Sequence, residues 1–129
     1  MKKNIALILL LTAVLPLAMA QNDDNSQLHP KKILKMALNC QIDEDYACAA
    51  TFTNGFEALA DDHKTQRIKY IKDKDRAKHG IVSYEVLGWE ELDNGNKIRY
   101  KVHVVYGDGN ESDEYYTLIK TSLGWRFDM

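Results

Sequence analysis

The stretch IVSYEVLGWEELDNGNKIRYKVHVVY, residues 81–106, decides the fold of this chain. Polar and apolar residues alternate from Lys97 to Val104, the pattern of a strand with one buried face. The set predicted to face the core is Ile98, Tyr100, Val102, Val104 and Tyr106. Residues 93–96 read DNGN, and Asn-Gly tolerates the positive φ angles of a type I′ turn. We therefore predict antiparallel strands at 81–92 and 97–106, joined by a hairpin.

The flanking sequence places helices before this hairpin and strands after it. Turn-forming residues at 107–113 and 122–124 delimit two further strands, predicted at 114–121 and 125–127. Upstream, apolar residues at helical spacing predict helices that begin at Pro30, after Asp45 and at Asp61. The first should end near Asn39 and the third near Lys78. This order indicates an α+β domain, with N-terminal helices on one face of a curved antiparallel four-stranded sheet.

The N-terminus has the three parts of a secretory signal peptide. Lys2 and Lys3 precede an apolar run from Ile5 to Leu17, and Ala18-Met19-Ala20 supplies small residues before a cleavage site at Gln21. The alternative is a retained membrane anchor, but the run is shorter than the roughly 20 residues that a span needs. We expect 1–20 to be removed, 21–28 to be a flexible leader and 29–129 to form a single domain, exported in soluble form to the periplasm or beyond.

Composition narrows the classes of partner. The chain carries 17 Lys and Arg against 19 Asp and Glu, and an acidic chain without a basic run is a poor ligand for nucleic acid or for anionic membranes. Cys40 and Cys48 are the two cysteines. Export and an even cysteine count predict a disulfide between them, while two buried free thiols are the alternative.

The order of elements resembles a known superfamily. The segments DEDYACAATF, residues 43–52, and GWRFDM, residues 124–129, frame a chain similar to the nuclear transport factor 2-like, or cystatin-like, α+β roll. Within it, the similarity is to small exported bacterial domains of unknown function. Asp43-Glu44 stand where a glycine is usual in that pattern. The resemblance spans about 28–129 and implies a cone-shaped apolar pocket, in which some relatives are isomerases, dehydratases or hydrolases and others only bind.

The aromatic residues are the candidate lining of such a pocket. Residues predicted to face it are Tyr84, Tyr100, Tyr106, Tyr116 and Trp125, with His63 as a helix residue that could point inward. The alternative is that they are core aromatics. We expect no inward carboxylate, because Glu85, Glu91 and Glu114 are assigned to the outer face. The interpretation is therefore a pocket without a catalytic residue.

The opposite face of strand 97–106 is basic. Lys97, Arg99, Lys101 and His103 could receive an acidic partner, or they could be a solubilising face paired with Glu85, Glu91 and Glu114. The four histidines, His29, His63, His79 and His103, lack metal-site spacing, so neither a metal nor another cofactor is predicted.

These observations favour an exported non-catalytic binding or structural domain. Its partner would be a small apolar ligand or a protein, and it could form a homodimer. The alternatives are a small-molecule enzyme that uses the cone pocket and an interaction or inhibitor module that uses the outer sheet face.

Overall fold

The structure is a computed structural model that describes residues 29–129, so the predicted signal peptide and the leader lie outside the described residues. The helices are α1 Pro30–Ile42, α2 Tyr46–Thr51 and α3 Asp61–Ala77, with a 3₁₀ turn at Phe56–Ala58. The strands are β1 Ile81–Leu92, β2 Lys97–Tyr106, β3 Glu111–Thr121 and β4 Gly124–Phe127. The α+β prediction is confirmed.

The four strands form one open, curved sheet in the order β1-β2-β3-β4, and every neighbouring pair is antiparallel. The backbone after α2 flanks the outer edge of β4: Phe127 N donates to Phe52 O at 2.8 Å, and Asn54 N donates to Phe127 O at 2.9 Å. β4 pairs with β3 only from Leu118 to Thr121. The first half of β3 therefore has a neighbouring strand on the β2 side alone.

The main core lies between α1 and the inner face of the sheet. Burial along β2 alternates at every residue, and Tyr100, Val102 and Val104 are fully enclosed against Ile33 and Leu34 of α1. This confirms the predicted inner face, because a shift of one residue would bury the basic face instead. Removing this contiguous apolar surface from water is the dominant stabilisation of the fold.

α3 belongs to a second, smaller core. Its Ile71 packs with Tyr46, Ala49 and Ala50 of α2 and with Phe56, so α3 packs mainly on α2 rather than on the sheet. The helix is amphipathic only weakly, and most of its side chains are exposed. A space consequently remains between the C-terminal half of α3 and the unpaired half of β3.

Several boundaries differ from the prediction. α1 continues to Ile42, past Asn39, and Asp45 caps α2 by accepting a hydrogen bond from Cys48 N at 3.1 Å. β3 begins at Glu111, three residues before the expected start. The hairpin has a four-residue loop in which Asp93, Asn94 and Gly95 all have positive φ, in place of a two-residue turn. Asparagine and glycine tolerate that conformation best.

β1 contains two irregularities, next to Val82 and Leu87, that alternation alone does not reveal. A bulge adds a residue and reverses the facing of everything after it. Glu91 therefore lies opposite Ile98 rather than on the outer face, although it stays exposed at the end of the sheet. Trp89 lies opposite Tyr100 and is also exposed.

A disulfide joins α1 to α2. Cys40 and Cys48 are bonded, with their Cα atoms 5.8 Å apart, which confirms the predicted bridge. Both residues are half-buried against the main core. The bond therefore fixes the angle between the helix that covers the sheet and the helix that supports α3. Within residues 29–129, no helix has the length and apolar character needed to cross a membrane.

Candidate functional site

A cavity of about 360 Å³ occupies the space that α3 leaves above β3. Its apolar wall comes from α1, α2, α3, β1 and β4: Leu38, Ala49, Ile71, Ile81 and Phe127. Its polar side is formed by α3 and β3, with Tyr106 of β2 at the boundary. The arrangement, an apolar wall with a few polar groups at one end, is typical of small-molecule sites.

The first polar group is the carboxylate of Asp75, in the last turn of α3. Asp75 is only 6 % exposed, and its Oδ2 accepts a 2.6 Å hydrogen bond from the hydroxyl of Tyr46 on α2. Burial, together with this bond to Asp75, raises the pKa of Tyr46 to about 12. Tyr46 is therefore a neutral donor that holds Asp75 in place.

The second polar group is Glu114 of β3, which lies opposite Val102 on the inner face of the sheet. Glu114 Oε2 accepts hydrogen bonds from Ser112 Oγ at 2.6 Å and from the Tyr106 hydroxyl at 3.0 Å. Lys78 Nζ lies 3.7 Å from the same oxygen. Ser112, then Tyr106 and Lys78, lower the pKa of Glu114, so the carboxylate is ionised at neutral pH. The assignment of Glu114 to the outer face was wrong, and so was the expectation of a pocket without carboxylates.

Tyr106 and Tyr116 lie beside these carboxylates. Burial and the bond to Glu114 raise the pKa of Tyr106 to about 12. The pKa of Tyr116 is also raised, first by burial and then by Tyr106 and the negative charges of Glu114 and Asp75. Tyr116 packs edge-on against Phe127, with 6.0 Å between ring centroids. Asp75, Glu114 and Tyr116 all line the same cavity, and Lys78 connects the two acidic residues: its backbone N donates to the backbone O of Asp75, and its Nζ lies 3.7 Å from Glu114 Oε2.

Two of the six predicted pocket residues, Tyr106 and Tyr116, line this cavity. Tyr84 instead lies beside α1, where its hydroxyl donates to Asn39 Oδ1 at 2.9 Å. Tyr100 is sealed in the main core, and Trp125 packs against that core. His63 is exposed in the first turn of α3. The contact of Tyr106 and Tyr116 with a ligand stays a prediction.

Sequence reasoning missed Tyr46 and Asp75 as well as Glu114, although spacing contained a signal for two of them. Asp75 follows the inward Ile71 by four residues and therefore shares its helix face. Glu114 precedes the inward Tyr116 by two residues and therefore shares its strand face. Tyr46 has no comparable pattern, because α2 has only six residues.

The predicted basic face is paired with acidic residues. The pairs are Lys97 with Asp128, Arg99 with Glu90, Lys101 with Asp113, and His103 with Glu111 and Asp113. The expected partners Glu85, Glu91 and Glu114 are not those observed. Among the described residues, no three His, Cys, Asp or Glu side chains are grouped so that they could hold a metal ion.

His103 is expected to titrate above its ordinary pKa. Its Nδ1 lies 2.8 Å from Asp113 Oδ1 and its Nε2 lies 2.8 Å from Glu111 Oε1, and these bonds raise the pKa of His103. Because the folded pKa is raised, the pairing stabilises the fold below the unfolded pKa and is lost as pH rises through the folded pKa. A pH titration by NMR measures this. The midpoint should fall in the double variant Glu111→Gln, Asp113→Asn, and an unchanged midpoint would contradict the assignment.

Tyr46→Phe is expected to destabilise the fold by about 1–3 kcal/mol, because it removes the donor to a buried carboxylate. Urea unfolding measures the loss. Tyr70→Phe is the matched control, since Tyr70 is 54 % exposed on α3 and its change should stay within about 0.5 kcal/mol. Equal losses in the two variants would show that the Tyr46–Asp75 bond contributes nothing.

Comparison with known proteins identifies the fold. No protein-family model matches the chain, and no curated protein matches it. Solved structures do match, among them a Campylobacter jejuni protein described as "Putative NTF2-like transpeptidase". The two are 16 % identical, with a TM-score of 0.56 over 79 % of this chain and 99 % of that chain. This protein has an NTF2-like fold, as the resemblance of its element order predicted.

Proposed function

We propose that this protein is a non-catalytic binding protein that holds a small, partly apolar molecule in the cavity above β3. The observation that carries the proposal is the cavity itself, in which an apolar wall meets Asp75, Glu114 and Tyr116 at one end. The apolar part of the ligand would be stabilised by leaving water and packing against the apolar wall, and the polar end would fix the orientation of the ligand.

The electrostatics of the polar end favour binding over turnover. A general base works best with a pKa near the working pH, but the pKa of Glu114 is lowered by the donors around it. The tyrosines Tyr46 and Tyr106, with pKa values of about 12, stay protonated at neutral pH and lie far from the pKa at which a general acid works best. These pKa shifts support a role in donating and accepting hydrogen bonds rather than in proton transfer.

Export is part of the same proposal. The leader pattern of 1–20 and the disulfide between Cys40 and Cys48 support it, because disulfides persist in oxidising compartments. The protein would then meet its ligand outside the cytoplasm.

Binding is tested by NMR fragment screening with a variant that fills the cavity. Ala49 lines the cavity, whereas Ala47 is exposed on the same short helix. Neutral and charged phenyl-bearing fragments should shift the amide signals of Ile71 and Tyr116, and Ala49→Leu should abolish those shifts. Ala47→Leu is the control and should leave them unchanged. Absence of binding, or binding that Ala49→Leu leaves intact, would overturn the proposal.

A proton-transfer enzyme is the second candidate, favoured by the burial of Asp75 beside Tyr46. Exchange of the α-protons of phenylacetone in D₂O offers a direct test. The binding proposal expects no acceleration over buffer. Exchange that is accelerated by the native protein and lost in Asp75→Asn would replace the binding proposal with the enzyme.

A further inference from the structure

At the polar end of the cavity, each of the two carboxylates uses only one of its oxygens as a hydrogen-bond acceptor. Asp75 Oδ2 already receives the Tyr46 hydroxyl, and Glu114 Oε2 receives Ser112 and Tyr106. The second oxygen of each carboxylate receives no hydrogen bond from residues 29–129, and neither oxygen is sealed from solvent. Asp75 is more than nine-tenths buried and lines the cavity.

The protein already places an ammonium group at this end. Lys78 Nζ lies 3.7 Å from Glu114 Oε2 and 4.7 Å from the centroid of the Tyr106 ring. A carboxylate and an aromatic face are the two groups that attract an organic cation most strongly. The Lys78 side chain is 52 % exposed, so its ammonium can leave this position at small cost.

The other charged residues around the cavity do not remove the attraction of its polar end for a cation. Lys74 lines the cavity, but its Nζ lies 5.5 Å from the centroid of the exposed Tyr70 ring. Asp128 also lines the cavity, but its carboxylate is paired with Lys97, 3.8 Å away, so it adds little net charge. An anionic ligand would have to approach Asp75 and Glu114, and a buried like-charge contact is costly.

We propose that the cavity takes an amphipathic organic cation, a protonated amine whose ammonium lies between Asp75, Glu114 and the ring of Tyr116. Its apolar body packs against Leu38, Ala49 and Ile71. This inference rests on the binding function proposed above and adds the chemical class of the ligand. The ammonium supplies the donors that the two free carboxylate oxygens lack, and its charge offsets theirs in a partly desolvated site.

The test compares three probes that share a phenyl group: phenethylammonium, 2-phenylethanol and phenylacetate. At neutral pH, calorimetric titration of the full mature chain should show the ammonium binding at least about tenfold more tightly than the other two. Asp75→Asn and Glu114→Gln should each remove most of that preference. Glu111→Gln, on the outer face of the same strand, is the matched control and should bind as the native protein does.

The outcomes separate this inference from the proposed binding function. If 2-phenylethanol or phenylacetate binds as tightly as phenethylammonium, and Ala49→Leu still blocks binding, the cavity is a binding site but the cation proposal fails. Absence of binding by all three probes would overturn both. If Asp75→Asn does not fold, Glu114→Gln alone decides, and an unchanged preference for the ammonium would refute the cation proposal.

Discussion

Leu118→Ala is expected to lower the free energy of unfolding by roughly 2–5 kcal/mol, the range for a buried leucine that leaves a cavity. Leu118 is fully buried on the inner face of β3, opposite Ile98 and Phe127, and belongs to the main core under α1. The surrounding strands are fixed by pairing on both sides, so the space cannot close. Urea denaturation, followed by circular dichroism, measures the difference.

The neighbouring residue provides the control for this prediction. Ile119 faces the other side of the sheet, opposite Lys97 and Arg126, and is only half-buried. Ile119→Ala should therefore cost clearly less than Leu118→Ala. The reverse order would mean that β3 is out of register by one residue, and then Glu114 and Tyr116 would not face the cavity.

Replacing Cys40 and Cys48 together by serine should destabilise the protein by about 2.5 kcal/mol, because the bond removes loop entropy from the unfolded chain. The bonded residues are eight apart in sequence, so the estimate is at the lower end for disulfides. A second effect is expected on binding. Because α1 and α2 both line the cavity, loss of the bond between them should also lower the affinity for a ligand held there.

Reduction of the native protein supplies the matched comparison. Dithiothreitol should lower the urea midpoint of the native protein towards that of the double serine variant and leave the variant unchanged. Equal stability of the reduced and oxidised native protein would contradict the predicted contribution.

The sheet could be predicted closely because the sequence patterns that specify its strands and its hairpin lie within short segments. Period-2 alternation in residues 97–106 identified the inner face of β2, and the residues at 93–96 identified the hairpin. The two irregularities of β1 could not be predicted, because Val82 and Leu87 are ordinary strand residues and nothing in their neighbourhood marks an extra residue. The wrong assignment of Glu91 to the outer face followed from these irregularities.

The site was harder to predict because it depends on how separate elements pack. Tyr46 and Asp75 are 29 residues apart and meet only because α3 packs on α2. The early start of β3 at Glu111 gives Glu114 a place inside the sheet rather than at its end. The cavity itself arises because β4 is short and leaves half of β3 without a neighbour, a property of lengths rather than of any single residue.

The most direct measurement is a crystal structure of the protein grown with phenethylammonium. The account predicts electron density for the ligand between α3 and β3, with its nitrogen within hydrogen-bond distance of Asp75 or Glu114 and its ring against Leu38 and Ile71. A cavity occupied by the protein's own side chains, or a ligand bound only on the outer face near His103, would contradict it.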